Sequence, residues 1–589
     1  MNEKRLRKIA SVTHEIANMG MAPNDVELPQ MFIYTGGLGT LEGAAARAGR
    51  NLDVPMVMFS LLARYGYYDQ TIYEKDGTLH MGVEFIRRDY SDMLEDTGVT
   101  VTVDICGKPN FLKVWKVPGK VFGTVDEYLL CADIDENGKI EQWTDENGKI
   151  KECVPIEREN TRYLYAGPIR VGGNYERKIA QDMLLGIGSV KASEALGLDI
   201  DIWHMQESHT AMTGLYLLEK ELPAVAVLDS LSRNERERII NEAIERVKSH
   251  LLYTNHTPDQ AGNFKCGMDM LTKMYRGLSP DLLKRLGNDP LYPTGFNFGA
   301  ACLRLSRLAN AVSKKHLEVT KAMFSYVEDG APIISITNGS LLKDFFQPPM
   351  FAGARTWEEL QRANMRGKRQ LNEFLRGYCG KEIDINVPVV VFARRFAQYK
   401  RPDLLLKFSR DWLLNRLGTK RFQLVIAGKP HPDDNDMISA WTNWLRLAKE
   451  YPNIIVVPNY DMHISKILKM GADIWLNTPR VGMEACGTSG QSAAADGAIN
   501  MSTIDGWMCE EDPSNFFAFG TQFPTSNMDM YDANDEKNGL TVVMDRALDL
   551  YYNNPEEWHK MALRGKLDAE RKWNAERMMQ EYIDKMYTL

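Results

Sequence analysis

Four short apolar runs, PVVVFA, FQLVIAG, NIIVVPN and DIWLN, recur between positions 388 and 477, each separated from the next by a helical stretch. Runs of four to seven apolar residues without polar alternation read as strands buried on both faces, and strands alternating with helices build a doubly wound parallel sheet. The fold class is therefore α/β. Only right-handed crossovers satisfy such a pattern, so the ligand site is expected beyond the carboxyl ends of these strands.

Two segments carry chemistry at such ends. After PVVVFA comes RRFAQYKRPDLL, which sets Arg395 and Lys400 just past a strand, beside Arg394 and Arg401. A permanent cation with bidentate geometry suits an oxyanion better than a general acid does. After DIWLN comes TPRVGMEACGTSGQSAAADGAINMSTIDGW, in which Glu484 precedes a small-residue loop, Cys486, Gly487, Thr488 and Ser489, running into an Ala-rich helix start. Successive backbone N–H groups at a helix N-terminus suit a phosphate or a hydroxyl-rich sugar.

Toward the amino end, YTGGLGTLEG places Gly36, Gly37 and Gly39 before a helix-forming run, a loop able to clasp an anion or a sugar edge. Residues 1–30 read as a short amphipathic helix with a polar connection. From 81 to 160, alternating runs such as VTVTVDI and FLKVWKV, with DENGKI twice, read as a charged β insertion; Asn137-Gly138 and Asn147-Gly148 are hairpin turn signals. A long helix follows over IAQDMLLGIGSVKASEALG, then a strand in PAVAVLD, a capping box at Ser232 and Glu235, and a long buried helix over FNFGAACLRLSRLANAVSKKHLEVTKAMF.

The landmarks ARRFAQYKRPDLL, AGKPHPDD, NYDMHISKILKMGADIWLNTPR, EACGTSG, NMSTIDGW and a terminal WNAERMMQEYIDKMY appear in order from Ala393 to Tyr587. YTGGLGTLEG, LLGIGSV, HMQESHTA, YTNHTPDQAG and ITNG precede them. Together they resemble the α-glucan (glycogen, starch and maltodextrin) phosphorylases, particularly the shorter prokaryotic type, over about nine tenths of the chain. The resemblance implies a GT-B architecture of two Rossmann-like domains across a cleft. Its units would be 1–345 with the insertion, a helical crossover at 346–387, a donor-binding domain at 388–570 and a returning helix at 571–589.

The resemblance implies catalytic roles for Arg395, Lys400, His209 and Glu484. It implies donor or phosphate binding by Gly36, Gly37, Gly39, Arg395, Lys400, Gly487, Thr488, Ser489 and Ser492, and sugar binding by Glu484, Cys486, Gly487, His209, Asn459 and Tyr460. His256 falls in a cleft-lining loop. One position departs from the pattern. Where these phosphorylases carry the lysine that holds pyridoxal phosphate as a Schiff base, this chain has Ser492, and no lysine occurs from Gly471 through Glu536. A Schiff-base cofactor is therefore not expected.

Three readings follow: a retaining transferase using a nucleotide diphosphate sugar, an α-glucan phosphorylase with atypical cofactor use, and a non-catalytic glucan-binding relative. The expected partners are a phosphate-linked sugar donor and a sugar or glucan acceptor; a homodimer is left open. The 589 residues carry 71 basic and 79 acidic side chains, a net charge of -8, which argues against nucleic acid and anionic membrane as partners. No eighteen-residue apolar stretch or signal-peptide core is present, so the expected location is the cytoplasm. The eight cysteines show no zinc-ligand spacing, and no metal is expected.

Overall fold

The computed structural model describes residues 6–19, 30–132, 142–144, 150–152, 161, 163–166, 175–259, 263–521 and 527–588. The architecture is mixed α/β with two large sheets. The first has nine strands in the order Ile333–Ser335, Leu308–Ala311, Leu251–Asn255, Ile202–Gln206, Ile9–Val12, Met56–Leu61, Asp126–Cys131, Lys108–Val117 and Glu95–Ile105. The first seven run parallel and the last two are antiparallel. The second sheet has six parallel strands, Ile454–Val457, Gln423–Ala427, Val389–Ala393, Ile474–Asn477, Ile499–Thr503 and Phe516–Phe519.

Both orders reverse direction partway across. The second sheet reverses between Val389–Ala393 and Ile474–Asn477, the first between Ile9–Val12 and Ile202–Gln206. At such a point successive crossovers leave to opposite sides and open a crevice at the carboxyl ends of the two central strands. The four apolar runs that predict strands are the first four strands of the second sheet, each buried along its whole length. Helix Trp357–Cys379, closed by a capping box of Thr356 and Glu359, precedes that sheet, and Ser232 caps helix Arg233–Lys248 through the Glu235 N–H.

Several expectations are corrected. The amino-terminal stretch is not an amphipathic helix: Ile9–Val12 is a central parallel strand, every residue buried between Met56–Leu61 and Ile202–Gln206. PAVAVLD forms the short helix Val225–Asp229, with only Leu228 buried. The run expected as one buried helix divides into strand Gly295–Asn297, helix Phe298–Leu305, strand Leu308–Ala311 and helix Lys314–Met323.

The strands of the expected insertion are the antiparallel edge of the large sheet, with Val101, Val103, Ile105, Leu112 and Val114 buried in its core. Both Asn-Gly turns lie outside the described residues, although Gln142–Thr144 and Ile150–Glu152, flanking the second, do pair antiparallel.

The two sheets are tied together. A hairpin, Asp69–Lys75 with Thr78–Glu84, leaves the first sheet, and Tyr67, Tyr68 and Met81 enter the core around the second. The Tyr68 hydroxyl donates to Pro430 O at 2.5 Å and Lys429 Nζ donates to Tyr68 O at 2.6 Å. At the other end, helix Ala575–Tyr582 packs on helix Gly37–Asn51, and the Tyr587 hydroxyl lies 2.9 Å from His204 Nδ1. Among the described residues no helix is long and apolar enough to cross a membrane.

Candidate active site

Strand Val389–Ala393 delivers four cations into the crevice of the second sheet, and they separate into three kinds. Arg401 is structural: it is buried at φ +47°, donates to Thr478 O and Pro479 O, and pairs with Asp532 at 3.0 Å and Asp535 at 2.9 Å. Arg394 and Lys400 converge on one carboxylate, Glu484, with Arg394 Nη2 and Lys400 Nζ each 3.0 Å from Oε2. Arg395 is exposed and, among the described residues, has no carboxylate within ion-pair distance. It is the cation left available to a ligand.

Glu484 is held from behind as well. Asp505 accepts the N–H groups of Gly482, Glu484 and Gly506, each at 2.9 Å, which fixes the loop after strand Ile474–Asn477. Burial pushes the Asp505 carboxyl up to about 6. For Glu484, burial alone would raise its pKa, but the charges of Arg394 and Lys400 outweigh it and hold the carboxyl below its ordinary range. Burial pushes the Cys486 thiol up, so it is a poor nucleophile.

Helix Thr488–Ala495 starts at Gly487, which supplies no side-chain cap. Its first N–H groups are therefore open donors. A Cβ on Gly487 would lie 3.1 Å from both Arg394 Nη2 and Glu484 Oε1, so the clamp sits against the helix start. Arg394 is buried, and among the described residues its Nε and Nη1 have no hydrogen-bond partner. Ser492, one turn into the helix and 1% exposed, turns its hydroxyl back to within 3.2 Å of Thr488 O and Ser489 O. It presents nothing outward.

The crevice of the first sheet is lined differently. Glu15, three residues past Val12, accepts the Thr35 N–H at 2.7 Å and the Gly36 N–H at 3.3 Å through Oε2, and the Tyr165 hydroxyl through Oε1. The carboxylate thus occupies donors that the Gly36-Gly37-Gly39 loop would offer an anion. A Cβ at Gly36 or Gly37 would meet nothing within 4 Å, whereas one at Gly39 would lie 2.4 Å from Tyr34 Cβ.

His209 follows strand Ile202–Gln206. It is positioned by Glu207, whose φ of +70° turns its carboxylate to accept from Ser208 N–H, His256 N–H and the Thr257 hydroxyl. Burial lowers His256 to about 3 and pushes His209 well below its usual value.

The Arg395 charge acts on Tyr67 and Tyr165 from the first half of the chain and on Tyr399 and Glu484 from the second. The structure therefore brings Arg395, Lys400, Glu484, Gly487 and Thr488 together, with Tyr165 and Glu15 facing them. Asn459 is spent elsewhere: at φ +53° it exchanges three hydrogen bonds with Gln70, of 2.6, 2.9 and 3.1 Å. The Tyr460 hydroxyl donates to Ser465 Oγ at 2.9 Å. Sequence reasoning missed Arg394, Asp505, Glu15, His14 and Tyr165. The signals present were the first arginine of ARRF, the aspartate of IDGW, and Thr-His-Glu straight after an apolar run.

No family model matches the chain. An uncharacterized protein of Methanocaldococcus jannaschii is 34% identical over 563 residues, covering 94% of this chain and 96% of that one. The maltodextrin phosphorylase of Thermococcus litoralis is 28% identical over 619 residues, 94% of this chain and 68% of its own. The glycogen phosphorylase of Aquifex aeolicus is 26% identical over 625 residues, 95% and 84% respectively. With its site landmarks in one order and relatives matching almost end to end, the chain belongs to the family of the glycogen and maltodextrin phosphorylases.

Proposed function

We propose that the chain is a retaining hexosyltransferase of GT-B type that works without a pyridoxal Schiff base and takes a nucleotide diphosphate sugar as donor. The observation that carries this is the pair of unpartnered nitrogens on buried Arg394 beside the uncapped start of helix Thr488–Ala495. A buried guanidinium with idle donors at a helix N-terminus is a receptor for an oxyanion. Exposed Arg395, the next residue in the chain, offers a second anion contact. Two neighbouring anion contacts match a diphosphate.

Transfer breaks the bond between the sugar C1 and a phosphate oxygen, and the charge develops on the departing phosphate. Arg395 is placed to take that charge, with the field of Lys400 and Arg394 behind it. Glu484, fixed by two cations and by Asp505, presents its carboxylate edge to hydroxyls of the hexosyl unit.

Pyridoxal phosphate, the cofactor that the family resemblance implies, fits this site only in part. The cradle at Arg394, Gly487 and Thr488 would accept its phosphate. The position of the anchoring amine is Ser492, whose hydroxyl is committed to its own helix, so no covalent anchor exists there. The second reading, phosphorolysis of an α-glucan with the cofactor bound without a covalent link, rests on the names of the relatives and on the same cradle. A release assay over UDP-, ADP- and GDP-sugars, run beside glucose 1-phosphate with maltooligosaccharide, separates the two. Turnover confined to glucose 1-phosphate would remove the nucleotide-sugar reading.

A further inference from the structure

Helix Gly37–Asn51 carries a buried acid that the transfer chemistry does not use. Glu42 is 2% exposed, and among the described residues its Oε2 has no hydrogen-bond partner. The Ser11 hydroxyl bonds to the same carboxyl and accepts from Gln206 Nε2 at 3.2 Å. Glu42, Ser11 and Gln206 line a cavity of about 10 Å³, room for one water, together with Met578, Tyr582 and Tyr587. An ionisable group thus sits directly beneath the terminal segment, Ala575–Tyr587.

That segment ties the two sheets together. It leaves helix Pro555–Lys572, which packs on helix Thr488–Ala495 of the anion cradle, and it lies on helix Gly37–Asn51 of the first sheet. Its seat is a chain of buried hydrogen bonds. Tyr587 Oη lies 2.9 Å from His204 Nδ1, and His204 Nε2 lies 2.7 Å from Thr254 Oγ1. Thr254 donates to Asn310 Oδ1 at 2.7 Å, and Asn310 Nδ2 donates to the Tyr582 hydroxyl at 3.1 Å.

Burial pushes the Glu42 carboxyl up to about 8, opposed by the Ser11 bond, so it is neutral at pH 7. The other titratable groups of the seat keep one form through this range. Burial holds His204 down at about 3, and it pushes Tyr582 up to about 12 and Tyr587 well above its ordinary value. The neighbouring charges are engaged elsewhere. On the same helix Arg47 donates to Phe122 O and Arg50 to Thr124 O, while Glu581 pairs with Arg577 at 3.0 Å and Lys585 at 2.5 Å. An ionised Glu42 would therefore be a buried charge without a cation beside it among the described residues, which is strongly unfavourable.

We propose that Glu42 and its cavity form a pH-operated seat for the terminal segment: the neutral carboxyl holds Ala575–Tyr587 on the first sheet, and its ionisation frees the segment to lift and admit water. Linkage fixes the direction. The carboxyl has its ordinary value of 4.5 once hydrated and about 8 when seated, so the seated form loses ground as pH rises between these values and no further. The tie between the sheets is loosest above about pH 8.

Hydrogen–deuterium exchange of residues 575–587 in the full-length protein, referred at each pH to an unstructured peptide of the same sequence, measures the opening. The comparison is with Glu42→Gln, which keeps the shape of the side chain and removes its titration. Other groups that titrate near neutrality are common to both proteins and cancel. The ratio of parent to variant opening is expected to rise about fivefold from pH 7 to 8 and to level off above.

A ratio that stays constant over that range overturns the proposal, as does a rise confined to residues outside 575–587. Should Glu42→Gln not fold, Ser11→Ala decides. The Ser11 bond favours the ionised carboxyl, so its loss is expected to carry the levelling-off to higher pH than in the parent. A levelling-off at the parent's pH overturns the proposal.

Discussion

Arg394 reaches across the reversal point of the six-stranded sheet and sets Nη2 3.0 Å from Glu484 Oε2, while its Nε and Nη1 find no partner among the described residues. One guanidinium thus holds a carboxylate in place and keeps donors in reserve for an anion.

That clamp makes Glu484→Gln a pH-dependent lesion. The folded-state pKa of Glu484 is depressed, so the pairing contributes its full stability above the ordinary glutamate value and loses it as pH falls through the folded value. The variant is expected to be less stable than the parent by about 1–3 kcal/mol near neutral pH. The gap should narrow as pH falls below the ordinary glutamate range and close once the folded-state carboxyl is protonated, when both carry a neutral side chain. Urea unfolding across an acid pH series checks this; a gap that stays constant would contradict the clamp.

Arg395 and Lys400 should separate on stability although the proposed function requires both for transfer. Arg395 is exposed and has no carboxylate partner among the described residues, so Arg395→Ala should unfold within about 0.5 kcal/mol of the parent while losing about a hundredfold or more in turnover. Lys400→Ala takes one of two cations from Glu484 and should cost about 1–2 kcal/mol in addition. Near-normal turnover in Arg395→Ala would remove its anion-stabilising role.

Gln70 and Asn459 exchange three hydrogen bonds between the two halves of the chain. Gln70→Ala and Asn459→Gly are each expected to lower stability by about 1–3 kcal/mol, glycine keeping the positive φ of position 459. Both remove side chains from the same clasp, so the double variant should fall well short of the sum. Additive losses in denaturant unfolding would show that the residues act separately.

The sequence disclosed most where burial was complete on both faces. The runs at 389–393, 423–427, 454–457 and 474–477 are uniformly apolar because helices cover both sides of a parallel sheet, and each proved to be a strand. Ile9–Val12 was illegible for the opposite reason. Four residues flanked by basic and polar neighbours mimic a helix face, and only pairing with strands 56–61 and 202–206 makes them a sheet centre. PAVAVLD is too short for periodicity to separate helix from strand.

The site follows the same division. Arg395, Lys400, Glu484 and Gly487 were readable because each lies just past a legible strand. Glu15 and Tyr165, 150 positions apart, meet only through the fold. The commitment of Asn459 to Gln70 and of Ser492 to its own helix depends on contacts that no local pattern encodes.

The most direct test of the central claim is the absorbance of the purified protein between about 300 and 450 nm, the window of a pyridoxal aldimine, with and without added pyridoxal phosphate. It is paired with thermal-shift titration of nucleotide diphosphates. No band and a raised melting temperature with one nucleotide is the predicted result, and that nucleotide identifies the donor. A band that survives dialysis, with no nucleotide stabilising the fold, would contradict the account and establish a lysine outside helix Thr488–Ala495 as the cofactor's anchor.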